Sequence, residues 1–261
     1  MLTQQQIIQF KIFGFVLLRH IFSPAEMAEI AREADSLWRQ DAAQSGEGKA
    51  HQNLAPFVEK RPLLAELPED ERIYQPLQQL LGAGFVWGGS EGNRGSFNAT
   101  NDHQWHCDRD DQIDLQYTRI KIMLYLQAMQ KHSGALRVLP GSHHLDFNKR
   151  LQVLQPQGQN TSLEAYGVPG SELACLILEV QPGDVVIFNQ YLFHAVYGKQ
   201  EGRSYIALKF AAEPADLEQY EALRVHNQDA SWLHDSFRHS SRPRIRGMVD
   251  KLLYWERRSA V

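Results

Sequence analysis

The 261-residue chain is 43% hydrophobic and 22% charged, with a net charge of −4 and 11 histidines. That balance suits a globular protein with a substantial core, and it lacks the broad basic signature of a nucleic-acid or anionic-membrane binder. No apolar run reaches the ~18 residues of a membrane span, the start Met1-Leu2-Thr3-Gln4 has no basic-then-apolar export pattern, and the two cysteines, Cys107 and Cys175, fit a reducing setting. A cytoplasmic protein with one domain over 1–261 is expected.

In chain order, Thr3-Gln4-Gln5-Gln6 and Ser23-Pro24-Ala25-Glu26 each read as a capping box, so helices should begin near 4 and 24. Gly14 can end the first helix, and Phe15-Val16-Leu17-Leu18 reads as a short strand. In the second helix Met27, Ile30, Ala31, Ala34, Leu37 and Trp38 recur at helical spacing and form one buried stripe. The polar, glycine-bearing stretch 41–53 reads as a mobile loop, and a third helical segment over 69–81 is expected to break at Pro76.

From Gly84 onward the pattern changes to short β-rich runs divided by Gly, Asn and Pro, which predicts a mainly β barrel or sandwich over 84–212 behind a helical layer over 1–82. The clearest strand runs over 117–127, with Ile120, Ile122, Leu124 and Leu126 on one face and Arg119, Lys121, Tyr125 and Gln127 on the other. Leu139-Pro140-Gly141-Ser142 forms a turn, and 143–170 reads as a long polar excursion, either a lid or a disordered loop. A strand over 173–180, the turn Pro182-Gly183-Asp184, a strand at 185–188 and the run Tyr191-Leu192-Phe193-His194 follow. The tail 213–261 returns to a helical pattern. There Arg242-Pro243-Arg244-Ile245-Arg246 reads as an exposed turn before a last helix, with a cover for the pocket or a coenzyme A phosphate site as its functional alternative.

Trp105-His106-Cys107-Asp108 carries the chemistry. On a strand, side chains alternate, so His106 and Asp108 project together while Cys107 points away. One more histidine would complete two imidazoles and a carboxylate with the remaining metal positions open, the donor set of non-haem iron(II) oxygenases. The spacing alone is weak, because His144-Leu145-Asp146 repeats it. His194 ends an apolar run, and a hairpin centred between Gly198 and Lys199 would pair it with Arg203 on the same face. A guanidinium buried there needs an anion, and a dicarboxylate could meet it through two parallel hydrogen bonds.

The ordered set of His106-x-Asp108, the strand bearing Lys121, Leu139-Pro140-Gly141-Ser142-His143, His194 and Arg203 resembles the phytanoyl-CoA dioxygenase family, as does the opening Phe10-x-x-x-Gly14-Phe15-Val16-Leu17-Leu18 with its following helix. The resemblance covers roughly 4–212 and implies a double-stranded β-helix, a jelly-roll barrel flanked by N- and C-terminal helices. It implies His106, Asp108 and His194 as iron(II) ligands, Arg203 as the residue holding the distal carboxylate of 2-oxoglutarate, and Lys121 as a further contact to that cosubstrate. It makes 144–146 the copy without a metal. Asp108 stands where the related halogenases carry Gly or Ala, and Arg109-Asp110-Asp111-Gln112 does not match the run following the same aspartate in ectoine hydroxylases.

The implied activity is a 2-oxoglutarate-dependent dioxygenase that hydroxylates an aliphatic carbon of a small molecule with dioxygen, releasing succinate and carbon dioxide. The alternative is a non-catalytic barrel that senses metal or 2-oxoglutarate. Gln112, Trp87, Glu91 and Asn98 are the candidates to face substrate, and Asn189, Gln190 and Gln104 to orient the imidazoles. The acidic run 108–114 reads as a solvated loop that could also draw a cation to the pocket mouth.

Overall fold

The computed structural model describes residues 1–45, 52–95, 102–155, 161–225 and 233–259. The Thr3 hydroxyl accepts from the Gln6 N–H at 3.2 Å and the Gln6 side chain accepts from the Thr3 N–H at 2.9 Å, which starts α1 (Gln4–Phe13). Gly14, at φ 83°, stops it in a left-handed conformation that favours glycine and turns the chain into β1 (Phe15–Leu18). Ser23 and Glu26 repeat the reciprocal cap at the head of α2 (Pro24–Ser45), whose apolar stripe is buried at Met27, Ile30, Ala34, Leu37 and Trp38. This helix takes Asp41 to Ser45 out of the expected loop, β2 (Gln52–Leu54) takes its far end, and 46–51 lie outside the described residues.

The third helix, α3 (Glu71–Leu81), does not break at Pro76. Proline forfeits the bond to the carbonyl four residues back, but Pro76 is buried with Ile73 and Leu77 on the core face, which offsets the loss. The strands β3 (Val86–Arg94), β4 (His103–His106), β5 (Arg119–Tyr125) and β6 (Leu136–Val138) follow. The expected excursion over 143–170 is substantially helical, with α4 (Leu145–Leu151) and α5 (Thr161–Tyr166). Buried Asn148 anchors α4 by donating to the carbonyls of Ser142 and Tyr191. Then come β7 (Leu176–Leu178), β8 (Val185–Asn189), β9 (His194–Val196) and β10 (Ser204–Ala211). The tail holds α6 (Leu217–Val225), α7 (Asp235–Arg238) and α8 (Pro243–Ser259).

The strands form two antiparallel sheets, a major one in the order β1-β8-β5-β10-β3-β2 and a minor one in the order β4-β9-β6-β7. Alternation divides the major sheet into two faces. Ile120, Ile122, Leu124, Val185, Ile187, Ile206 and Leu208 pack with α2, α3 and α8 in one core. Met123, Tyr125, Val186, Phe188, Tyr205 and Ala207 meet Leu136, Val138, Leu178 and Val196 of the minor sheet in a second. This is the double-stranded β-helix, a jelly-roll of two sheets with helices on the outer face of the larger. The basic stretch leads into the last helix as read, with Pro243 and Arg246 exposed, and two of its arginines clamp the helical layer: Arg242 pairs with Glu69 at 2.9 Å, and Arg244 bonds the Glu69 carbonyl at 2.7 Å and the Glu71 carboxylate.

Candidate metal centre

Three separate segments deliver the ligand atoms. His106 ends β4 and is the cross-strand partner of His194 on β9, which sets their rings 4.3 Å apart. Asp108 lies beyond the strand, not on it, and its N–H donates to the Gln190 carbonyl at 2.9 Å in the turn between β8 and β9. One atom from each of His106, Asp108 and His194 falls within 4.8 Å of the others, the one such group of three or more potential ligands among the described residues. Nδ1 of His106 donates to the Gln104 carbonyl at 2.7 Å, and Nδ1 of His194 donates to the Leu192 carbonyl at 2.9 Å. A carbonyl only accepts, so each Nδ1 carries the hydrogen and each Nε2 keeps its lone pair for a metal. The orienting groups are therefore main-chain carbonyls rather than the side chains of Asn189, Gln190 and Gln104. Gln190 acts instead on Asp108 through its own carbonyl.

These ligands open into a cavity of ≈ 250 Å³ between the sheets. Burial, and then the neighbouring His106, push His194 down to about 3, which keeps its ring neutral as a ligand must be. Burial alone would raise Asp108, but the positive groups around it, the Lys121 ammonium foremost, together outweigh this and hold the carboxyl far below its ordinary range. Asp108 is thus an ionised ligand, and the donor set of two imidazoles and one carboxylate fits iron(II).

Arg203 and Lys121 line the same cavity. The expected hairpin does not deliver Arg203: β9 belongs to the minor sheet and β10 to the major one, so His194 pairs with His106 and Val138. The chain crosses between sheets over 197–203, and Arg203 enters the interior just before β10 begins. Its Nε donates to the Gly134 carbonyl at 3.0 Å, and its guanidinium lies over the rings of Tyr125 and Tyr205 at 5.4 and 5.0 Å. The buried Tyr125 hydroxyl donates to no acceptor among the described residues. A guanidinium and a hydroxyl facing one space with donors to offer fit a carboxylate.

Other expected contacts fall elsewhere. Trp87 is fully buried on the helix side against Phe210 and Phe237, with Nε1 donating to Glu59 at 3.1 Å. The cause is a bulge: Lys209 pairs with Gly89 and Phe210 with Trp87, leaving Gly88 as the extra residue. Glu91 keeps its inward face, while Trp87 is turned outward. A Cβ on Gly88 would sit 3.1 Å from the Lys209 backbone, so glycine permits this close approach. Gln112 also faces away, giving Nε2 to the Ala222 carbonyl at 3.2 Å and accepting from Arg119 at 2.6 Å. Asn98 and the side chains of Asp110 and Asp111 lie outside the described residues, and Asp114 pairs with Lys149 at 2.6 Å. His103, Asn53 and Asn93 also line the cavity. His103 stands three residues before His106, an odd spacing that puts the two on opposite faces of a regular strand, and it reaches the cavity only because the register shifts between them; Asn53 and Asn93 carry no signal of their own in the sequence.

Two facing antiparallel sheets with two imidazoles and a carboxylate converging between them define a jelly-roll of the type that holds non-haem iron. The chain belongs to the phytanoyl-CoA dioxygenase (PhyH) family, whose profile matches residues 10–198. Among solved structures it is similar to HygX from Streptomyces hygroscopicus with nickel and 2-oxoglutarate bound, at 22% identity and a TM-score of 0.65 over 82% of this chain and 93% of that one. It is also similar to EctD from S. alaskensis, at 19% identity and a TM-score of 0.61 over 81% and 77%. A third is the alpha-ketoglutarate-dependent epimerase SnoN from nogalamycin biosynthesis, at 15% identity and a TM-score of 0.57 over 80% of each chain. At these identities the likeness is one of fold. No curated protein matches the chain by sequence. Among the described residues no helix is long and apolar enough to cross a membrane.

Proposed function

We propose that the protein is an iron(II)- and 2-oxoglutarate-dependent dioxygenase that hydroxylates an aliphatic carbon of a small molecule. The observation that carries this is the convergence of His106, Asp108 and His194 in a cavity that also receives Arg203 and Lys121. His106 Nε2, His194 Nε2 and Asp108 Oδ1 would hold the metal, each fixed by the main-chain bonds described above. Arg203 would bind the distal carboxylate of 2-oxoglutarate through its guanidinium, with the Tyr125 hydroxyl as a second donor and Lys121 adding positive charge. When bound, iron and 2-oxoglutarate supply the oxidising power: dioxygen is consumed, succinate and carbon dioxide leave, and one oxygen atom is available to the substrate. Met123, Leu136, Phe188 and Val196 form the apolar wall that keeps water from the reacting carbon.

The family match and the folds of HygX, EctD and SnoN support an oxygenase of this type. Hydroxylation is our assignment, and the test is stoichiometry: with iron(II), 2-oxoglutarate, dioxygen and a panel of small molecules, succinate should form in a 1:1 ratio with a hydroxylated product and should be absent with Asp108→Ala. Saturable binding of iron and 2-oxoglutarate with no succinate across the panel would favour a sensor instead.

A further inference from the structure

The two oxygens of Asp108 face different partners. Oδ1 lies 3.9 Å from Nε2 of His106 and 3.8 Å from Nε2 of His194, whereas Oδ2 lies 3.5 Å from Nζ of Lys121. Lys121 Nζ is also 3.1 Å from Oε1 of Glu91, and Oε2 of Glu91 is 2.7 Å from Nζ of Lys209. Carboxylate, ammonium, carboxylate and ammonium thus alternate from the ligand set into the major sheet, and none of the four side chains is more than 18% exposed. Lys121 and Lys209 are direct cross-strand partners on β5 and β10, while Glu91 comes from β3 on the other side of β10. Two ammoniums placed opposite each other repel. Glu91 lies between them and gives each a carboxylate oxygen. Burial alone would raise Glu91, yet the Lys121 and Lys209 ammoniums outweigh it and hold its carboxyl at about 2, so it carries its charge at working pH.

We propose that Glu91 is a positioning residue for the metal centre: bridged to Lys209, it holds the Lys121 ammonium on Oδ2 of Asp108, so that Asp108 offers the metal Oδ1 alone. The inference rests on reading His106, Asp108 and His194 as iron ligands. A carboxylate with both oxygens free can take two coordination positions. One whose second oxygen is engaged takes one, and the position so spared stays open to cosubstrate and dioxygen. The Lys121 ammonium has three N–H donors and two carboxylates beside it, so this role still leaves a donor for 2-oxoglutarate.

The test is an anaerobic titration of the full-length protein with iron(II) and then 2-oxoglutarate, reading iron affinity and the position of the visible charge-transfer band at saturation. Glu91→Gln is expected to weaken iron binding by roughly 10- to 100-fold and to displace the band, because the iron then meets a differently ligated Asp108. Lys209→Met, which leaves the Glu91–Lys121 pair but removes its outer anchor, should move both in the same direction by a smaller amount, and it carries the test if Glu91→Gln does not fold. Wild-type iron affinity in the variant would overturn the proposal. So would weaker iron binding with an unmoved band, since loss of stability alone gives that result. A wild-type protein that shows no band and binds no stoichiometric iron would instead overturn the reading on which the proposal stands.

Discussion

The chain contains the pattern His-x-Asp twice, and the two copies meet opposite fates. His106 and Asp108 leave the end of β4 beside β9, where a register partner, His194, stands ready to complete a ligand set. His144 is the N-cap residue of α4, its ring bonded to the Ile12 carbonyl at 3.1 Å and stacked on His143, and Asp146 is exposed in the first helical turn. An acidic residue there favours the helix dipole and needs no metal to explain it. Spacing brings two donors near each other, but only the pairing of distant strands supplies the third. A motif this short therefore carries chemistry through its long-range partner.

The sharpest way to break this contrast is to remove one carboxylate at a time. Asp108→Ala should abolish 1:1 iron(II) binding, whereas Asp146→Ala should leave it unchanged, as read by equilibrium dialysis. A second contrast lies along β3, where Trp87 and Glu91 have the same parity but opposite faces. Trp87→Ala should cost about 3–5 kcal/mol of stability in denaturant unfolding and leave the iron affinity of the folded protein intact; a selective loss of metal or substrate binding would return Trp87 to the cavity. Within the cavity, Arg203→Ala should weaken 2-oxoglutarate by about 2 kcal/mol or more, roughly thirtyfold, with far less effect on iron, and equal losses would contradict its assignment.

The last effect is a pH slope in the metal-free protein. Burial, followed by nearby cations for His103 and by His106 for His194, holds both histidines at about 3 when folded, against about 6.5 for an ordinary histidine. Between those values the unfolded chain takes up protons that the folded one refuses, so stability should fall as pH drops from about 6.5 toward 3. His103→Asn should flatten the slope in thermal unfolding, and an unchanged slope would remove His103 from this account.

What was legible in the sequence was local. The capping boxes at Thr3 and Ser23 depend on residues three apart, and the alternation of Ile120, Lys121, Ile122, Met123 and Leu124 is fixed by the strand itself, so both appear in the fold as read. The donors His106, Asp108 and His194 were nameable because their order along the chain follows the family pattern, and the structure brings them together. What the sequence hides is nonlocal. Gly198 and Lys199 looked like the centre of a hairpin, yet β9 and β10 pair with other strands in different sheets, a choice set by residues far away in sequence. Arg203 reaches the cavity all the same, because the crossing between sheets ends on an inward position. Gly88 gave no sign that it would be the unpaired residue of a bulge, since the mismatch exists only relative to β10. The backbone cost of Pro76 is visible in the sequence, while the packing that offsets it belongs to the folded core.

The most direct measurement is the anaerobic addition of iron(II) and 2-oxoglutarate to metal-free wild type, Asp108→Ala and Asp146→Ala, followed by visible absorption. The account predicts the weak charge-transfer band of chelated 2-oxoglutarate in wild type and Asp146→Ala and none in Asp108→Ala. A band that survives in Asp108→Ala, or that is missing from a wild type holding one equivalent of iron, would contradict it.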